Sequence, residues 1–163
     1  MDNVNESGIF EAVWERVTEA SRGSAPVLRE ERSEADILAA LIASEADNSA
    51  FYSTAASRTG ASCGALFKSL ANVSAKRLGR LQTLYFLLTG NNHHCAHSGT
   101  HKQQSCLSAL RDAYWRESET ASMLISAAGS IGSGKFSSCA ADFARQAAAN
   151  AEQIMQFIDK VMK

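Results

Sequence analysis

The chain has 163 residues, of which 45% are apolar and 20% charged, and its formal net charge is −1. That length suits one domain with a sizeable core, in an ordinary globular balance. The near-neutral charge gives no argument for nucleic acid or an anionic membrane, neither is expected as a partner, and no apolar run is long enough to span a bilayer.

The N-terminus, MDNVNESGIF, lacks a basic stretch followed by an apolar one, so it does not read as a secretory signal. A cytoplasmic location is the expectation. Residues 8–21 read as a short amphipathic helix with Phe10, Val13, Trp14 and Val17 on one face. That face caps a bundle or docks a partner. Residues 22–32, with Gly23, Ser24 and Pro26, read as a linker. Pro26 is the only proline, so everything after it is free to be helical.

Four long helices follow. The first runs from Ser33 to Arg58, with Ser33 as N-cap and Asp36 as its acidic partner. The second runs from Ser62 to Thr89 and stops at Gly90. The third spans Gln104 to Ala128 and the fourth Phe136 to Met162, with the GSIGSG turn between them. Gly132 and Gly134 lack the spacing of a phosphate-binding loop. The first and third joins are short, so each makes an antiparallel pair. The middle join, Asn91 to Gln103, is long and polar. Two hairpins with one long crossover are the connectivity of a ferritin-like four-helix bundle. The domain plan is therefore an N-terminal helix and linker over 1–32 and a bundle over 33–163.

Steps of three and four residues trace the inward faces. They give Leu38, Leu41, Glu45 and Tyr52 on the first helix, and Leu70, Ser74, Arg77, Leu81, Leu84 and Leu88 on the second. The third gives Leu110, Tyr114, Glu117 and Leu124, and the fourth Phe143, Ala147, Asn150, Ile154, Phe157 and Val161. Each stripe has polar or small residues near its middle. A carboxylate at mid-bundle needs a metal, a cation or a proton, because an unpaired buried charge is costly.

Three segments carry a family resemblance. SEADNSAFY places Glu45 seven residues before Tyr52, RLQTLYFLLTG closes the second helix, and DAYWRESETASML contains Glu117. Together they resemble the rubrerythrin branch of the ferritin-like superfamily, over about residues 35–163. The resemblance implies a di-iron centre, with a Glu on each of two helices and a Glu-x-x-His on each of the others. It also implies oxidase or peroxidase chemistry, with any electron donor a separate protein.

The expected ligand windows are largely empty. The second helix offers Ser74-Ala75-Lys76-Arg77 and the fourth Ala147-Ala148-Ala149-Asn150. Glu45 and Glu117 are the carboxylates that remain, too few to fix two iron ions. A guanidinium can bridge two carboxylates. Arg77 is expected between Glu45 and Glu117, with Asn150 donating to a remaining oxygen. The competing reading sends Arg77 out to solvent along its stem.

The four histidines, His93, His94, His97 and His101, all lie in the crossover. Their spacing matches no standard zinc motif, and adventitious zinc or nickel is the simplest metal chemistry there. Cys63, Cys95, Cys106 and Cys139 show no CxxC pair and read as free thiols. The alanine-rich fourth helix permits close approach within the bundle or across a homodimer.

Two functional readings follow. One is a non-catalytic ferritin-like protein without a cofactor, with a structural, interaction or ligand-binding role. The other is a metal-dependent redox protein with a remodelled partial iron site.

Overall fold

The computed structural model describes residues 32–95, 101–102, 105–132 and 134–163. The expected helix at 8–21 and the linker with Pro26 lie outside the described residues. Ser33–Lys163 form one compact unit, an all-α four-helix bundle. Its helices are α1 (Glu34–Arg58), α2 (Ala61–Thr89), α3 (Cys106–Ser130) and α4 (Gly134–Val161). Their ends differ from the sequence expectation by no more than two residues.

The ends follow from local chemistry. The Ser33 hydroxyl accepts from the Asp36 N–H at 3.1 Å, and the Asp36 carboxylate accepts from the Ser33 N–H at 3.2 Å. This reciprocal cap satisfies two backbone donors and places an acid at the positive end of α1. Ser105 caps α3 by accepting from the Ser108 N–H at 3.2 Å. Gly90 ends α2 in the left-handed region, at φ 73°, where its N–H donates to the Phe86 carbonyl. The join between α1 and α2 is tight: a Cβ on Gly64 would lie 3.0 Å from the Ala56 carbonyl oxygen. Glycine permits that close approach.

The α1–α2 and α3–α4 hairpins pack side by side, so all four helices line one interior. The turn after α3 is tied to the start of α1, where the Gly132 N–H donates to Glu34 Oε1 at 3.0 Å. The apolar core is split in two. One cluster, at the end where α1 begins, contains Leu38, Ile42, Leu81, Leu124 and Phe136. The other, at the opposite end, contains Phe51, Tyr52, Phe67, Leu110 and Ile154. Between them lie the buried polar residues Glu45, Asn48, Ser74, Arg77, Glu117 and Thr120.

Two expectations need correction. The buried face of α4 is Phe136, Ala140, Ala144, Ala147, Ala151, Ile154 and Ile158. Phe143, Asn150 and Phe157 are half-buried beside it, and Val161 is exposed. Alanine lets the α4 backbone come close, so the small residues turn inward and Phe143 and Phe157 flank them. Leu88 is likewise half-exposed, at the last turn of α2.

The second correction concerns the cysteines. Cys63 and Cys106, read from the sequence as free thiols, form a disulfide with their Cα atoms 6.3 Å apart. It joins the first turn of α2 to the first residue of α3. Cys95 and Cys139 are free. Among the described residues no helix is long and apolar enough to cross a membrane.

Candidate functional site

The polar layer is built by one or more side chains from each helix. Glu45 on α1 is followed one turn later by Asn48, and Glu117 on α3 by Thr120, so each helix turns two polar groups inward. α2 supplies Ser74 and Arg77, and α4 supplies Asn150.

Arg77 lies between the two carboxylates. Its Nε is 2.8 Å from Glu45 Oε1. The approach is short but poorly aligned as a hydrogen bond, so it is chiefly a charge contact. Its two terminal nitrogens grip Glu117 as a fork: Nη1 donates to Oε2 at 3.2 Å and Nη2 to Oε1 at 3.0 Å. The Tyr52 hydroxyl donates to Glu117 Oε1 at 2.8 Å, and Asn150 Nδ2 donates to Oε2 at 3.1 Å. Arg77 is 1% exposed and Glu117 0%, so water contributes little to either. Glu117 thus receives donors from α1, α2 and α4 at once.

Glu45 has a different environment. The Ser74 hydroxyl lies 2.5 Å from Glu45 Oε2 and 3.1 Å from the Glu45 main-chain carbonyl. The Ser74 hydroxyl donates to Glu45 Oε2 as the shorter contact, with the main-chain carbonyl as the longer one. Burial pushes the Glu45 carboxyl above its ordinary range, against the opposing pull of Arg77 and Ser74. For Arg77, burial opposes the charge, but Glu45 and Glu117 outweigh it and the guanidinium is held charged. Burial, then the neighbouring Glu117, raises the Tyr52 phenol far above its usual value, so it stays a donor.

A di-iron pair does not fit this layer. Two carboxylates are present, and both are engaged by a guanidinium that stands where a cation would have to be. Neither α2 nor α4 adds an imidazole or a further carboxylate to the layer. Among the described residues no group of three or more His, Cys, Asp or Glu side chains is placed to hold a metal ion.

Among the described residues the crossover histidines do not converge. The His93 ring packs 4.9 Å from Tyr85, beside the cluster containing Leu38. The His101 ring packs 5.4 Å from Phe51, in the opposite cluster, with its Nε2 3.3 Å from Asp47 Oδ1. One ion cannot bridge those two ends. His94 is exposed, and His97 lies outside the described residues.

Sequence reasoning missed a second polar group beside the layer. Asn48 Nδ2 donates to the Thr120 hydroxyl at 3.0 Å. Arg116 Nη1 donates to Asp47 at 2.6 Å and to Asn48 Oδ1 at 3.0 Å, with its guanidinium 4.4 Å from the Phe51 ring centre. The available signal was the spacing Glu45–Asn48 and Glu117–Thr120, three residues on one face in both helices.

No family model matches the chain, and no curated protein does. Among solved structures, the bundle is similar to the crystal structure of a conserved hypothetical protein, Rv2844, from Mycobacterium tuberculosis. The TM-score is 0.68 at 14% identity, covering 76% of this chain and 96% of that one. The likeness is one of fold.

Proposed function

We propose that the chain is a ferritin-like, rubrerythrin-like bundle that is non-catalytic and serves a structural, interaction or ligand-binding role. One observation carries the reading: the Arg77 guanidinium, fixed to both Glu45 and Glu117, takes the place a metal centre would need. An internal cation of the protein's own neutralises the carboxylates without iron. We further take the chain to be a homodimer.

The runner-up is a metal-dependent redox protein with a remodelled site. It is favoured by Glu45 and Glu117 facing each other across the bundle at matching depth, with Tyr52 beside them. It requires Arg77 to leave the layer. Metal analysis of protein purified without a nickel column separates the two. Less than a tenth of an iron per chain supports the first reading, and about two irons per chain would overturn it.

The cysteines bear on location. Disulfides persist in oxidising compartments and are rare in the cytosol. The Cys63–Cys106 bond therefore favours maturation in an oxidising compartment over the cytoplasm. Alkylation of freshly lysed cells decides: two protected cysteines support this, and four reactive thiols would restore the cytoplasmic reading.

A further inference from the structure

We infer that the outer face of α3, centred on Trp115, is the surface on which two copies of this chain pair. The inference rests on the homodimer reading and adds its face.

Trp115 is 70% exposed, although a tryptophan carries a large apolar area. Four residues before it stands Arg111 and four after it Glu119, both exposed. Neither has an ion pair or hydrogen bond among the described residues. Steps of four residues keep all three on one stripe of the helix, about 6 Å apart along its axis.

That stripe is complementary to itself. Place a second α3 antiparallel to the first, with a two-fold axis at Trp115. Residues equally far from Trp115 then face each other. Arg111 of each copy meets Glu119 of the other, so two opposite-charge pairs flank a central pair of indoles. An isologous interface needs this kind of self-matching surface. A partner of single charge would satisfy one end of the stripe and be repelled by the other.

The relief around the stripe also suits a copy. An open cleft of about 560 Å³ runs between α1 and α3, with Trp115 itself on its wall alongside Asp47, Asp112, Arg116, Glu119 and Met123. On the two-fold axis each indole can pack over the other copy's cleft against its Trp115, which brings Arg111 to Glu119 on the cleft wall. Aromatic anchors in pockets, rimmed by charge, are the usual source of binding energy at such faces.

Sedimentation equilibrium of the full chain tests this. The wild type is expected to be dimeric. Trp115→Ala is expected to weaken the dimer by roughly 30-fold or more, the loss typical of an anchor residue. Arg111→Glu and Glu119→Arg should each give monomers, because each sets like charges against each other. The double variant Arg111→Glu/Glu119→Arg should restore the dimer. Circular dichroism checks that these surface variants stay folded. A monomeric wild type would overturn both the dimer and its face. A wild-type dimer that none of the variants disturbs would overturn the face alone.

Discussion

Arg77 and Glu117 meet through two parallel N–H···O contacts at the centre of the bundle, one of 3.0 Å and one of 3.2 Å. Both residues are almost without solvent exposure, and neither could be there alone. A buried pair of this kind contributes little over an apolar replacement, yet removing one partner leaves an uncompensated charge. Arg77→Met is therefore expected to cost about 3–5 kcal/mol in urea unfolding. Glu117→Gln added to Arg77→Met should recover part of that loss, because it removes the stranded charge. A double variant as unstable as the sum of the two single ones would show that the pair is not coupled.

The same layer predicts a pH dependence. Folding raises the Glu45 carboxyl above its ordinary value of 4.5. Between that value and the raised one, the folded chain holds a proton that the unfolded chain has released. Stability contributed by Glu45 is thus fully present below 4.5 and falls as pH rises through the folded value. Glu45→Gln copies the protonated form, with its amide donating to Ser74. The variant should equal or exceed the wild type near neutral pH, and the gap should close on acidification. Urea midpoints across pH would contradict this if glutamine were clearly the weaker residue at neutral pH.

Much of this layer was legible from spacing. Glu45, Ser74, Arg77 and Glu117 fall on inward stripes, and Asn150 beside one, because helical periodicity fixes which residues share a face. The charge of Arg77 then left few places for it. Two parts were not legible. On α4, Ala147 and Ile154 were read correctly as inward, but Phe143, Phe157 and Val161 were read with them, whereas close packing selects Ala140, Ala144 and Ala151. Cys63 and Cys106 are 43 residues apart in sequence, and what joins them is the path of the crossover, which carries no local signature.

Tyr52 and Asn150 should matter through Glu117. Each donates one hydrogen bond to it, at 2.8 and 3.1 Å. A hydrogen bond to a charged buried group is worth about 1.5–3 kcal/mol. Tyr52→Phe keeps the ring stacked on Phe67 and removes only the hydroxyl. Its loss should fall in that range, with Asn150→Ala similar or smaller because Asn150 is only half-buried. If Tyr52→Phe left the thermal midpoint unchanged, the hydroxyl would have no part in holding Glu117.

The disulfide should be a large single contributor to stability. It closes a loop across most of α2 and the whole crossover, with a sequence separation of 43 residues. For a loop of that size the lost chain entropy of the unfolded state corresponds to about 4 kcal/mol, before any enthalpic offset. Removing it should act mainly on the unfolded chain, because Leu110, Ala113, Phe67 and Leu70 still pack α3 and α2 into the same cluster. The variant Cys63→Ser/Cys106→Ser is therefore expected to keep its helical circular dichroism while its urea midpoint falls. Dithiothreitol should lower the midpoint of the wild type to that of the variant and leave the variant unmoved. A wild type insensitive to reductant, and no more stable than the serine variant, would mean that the two sulfurs are not bonded in solution.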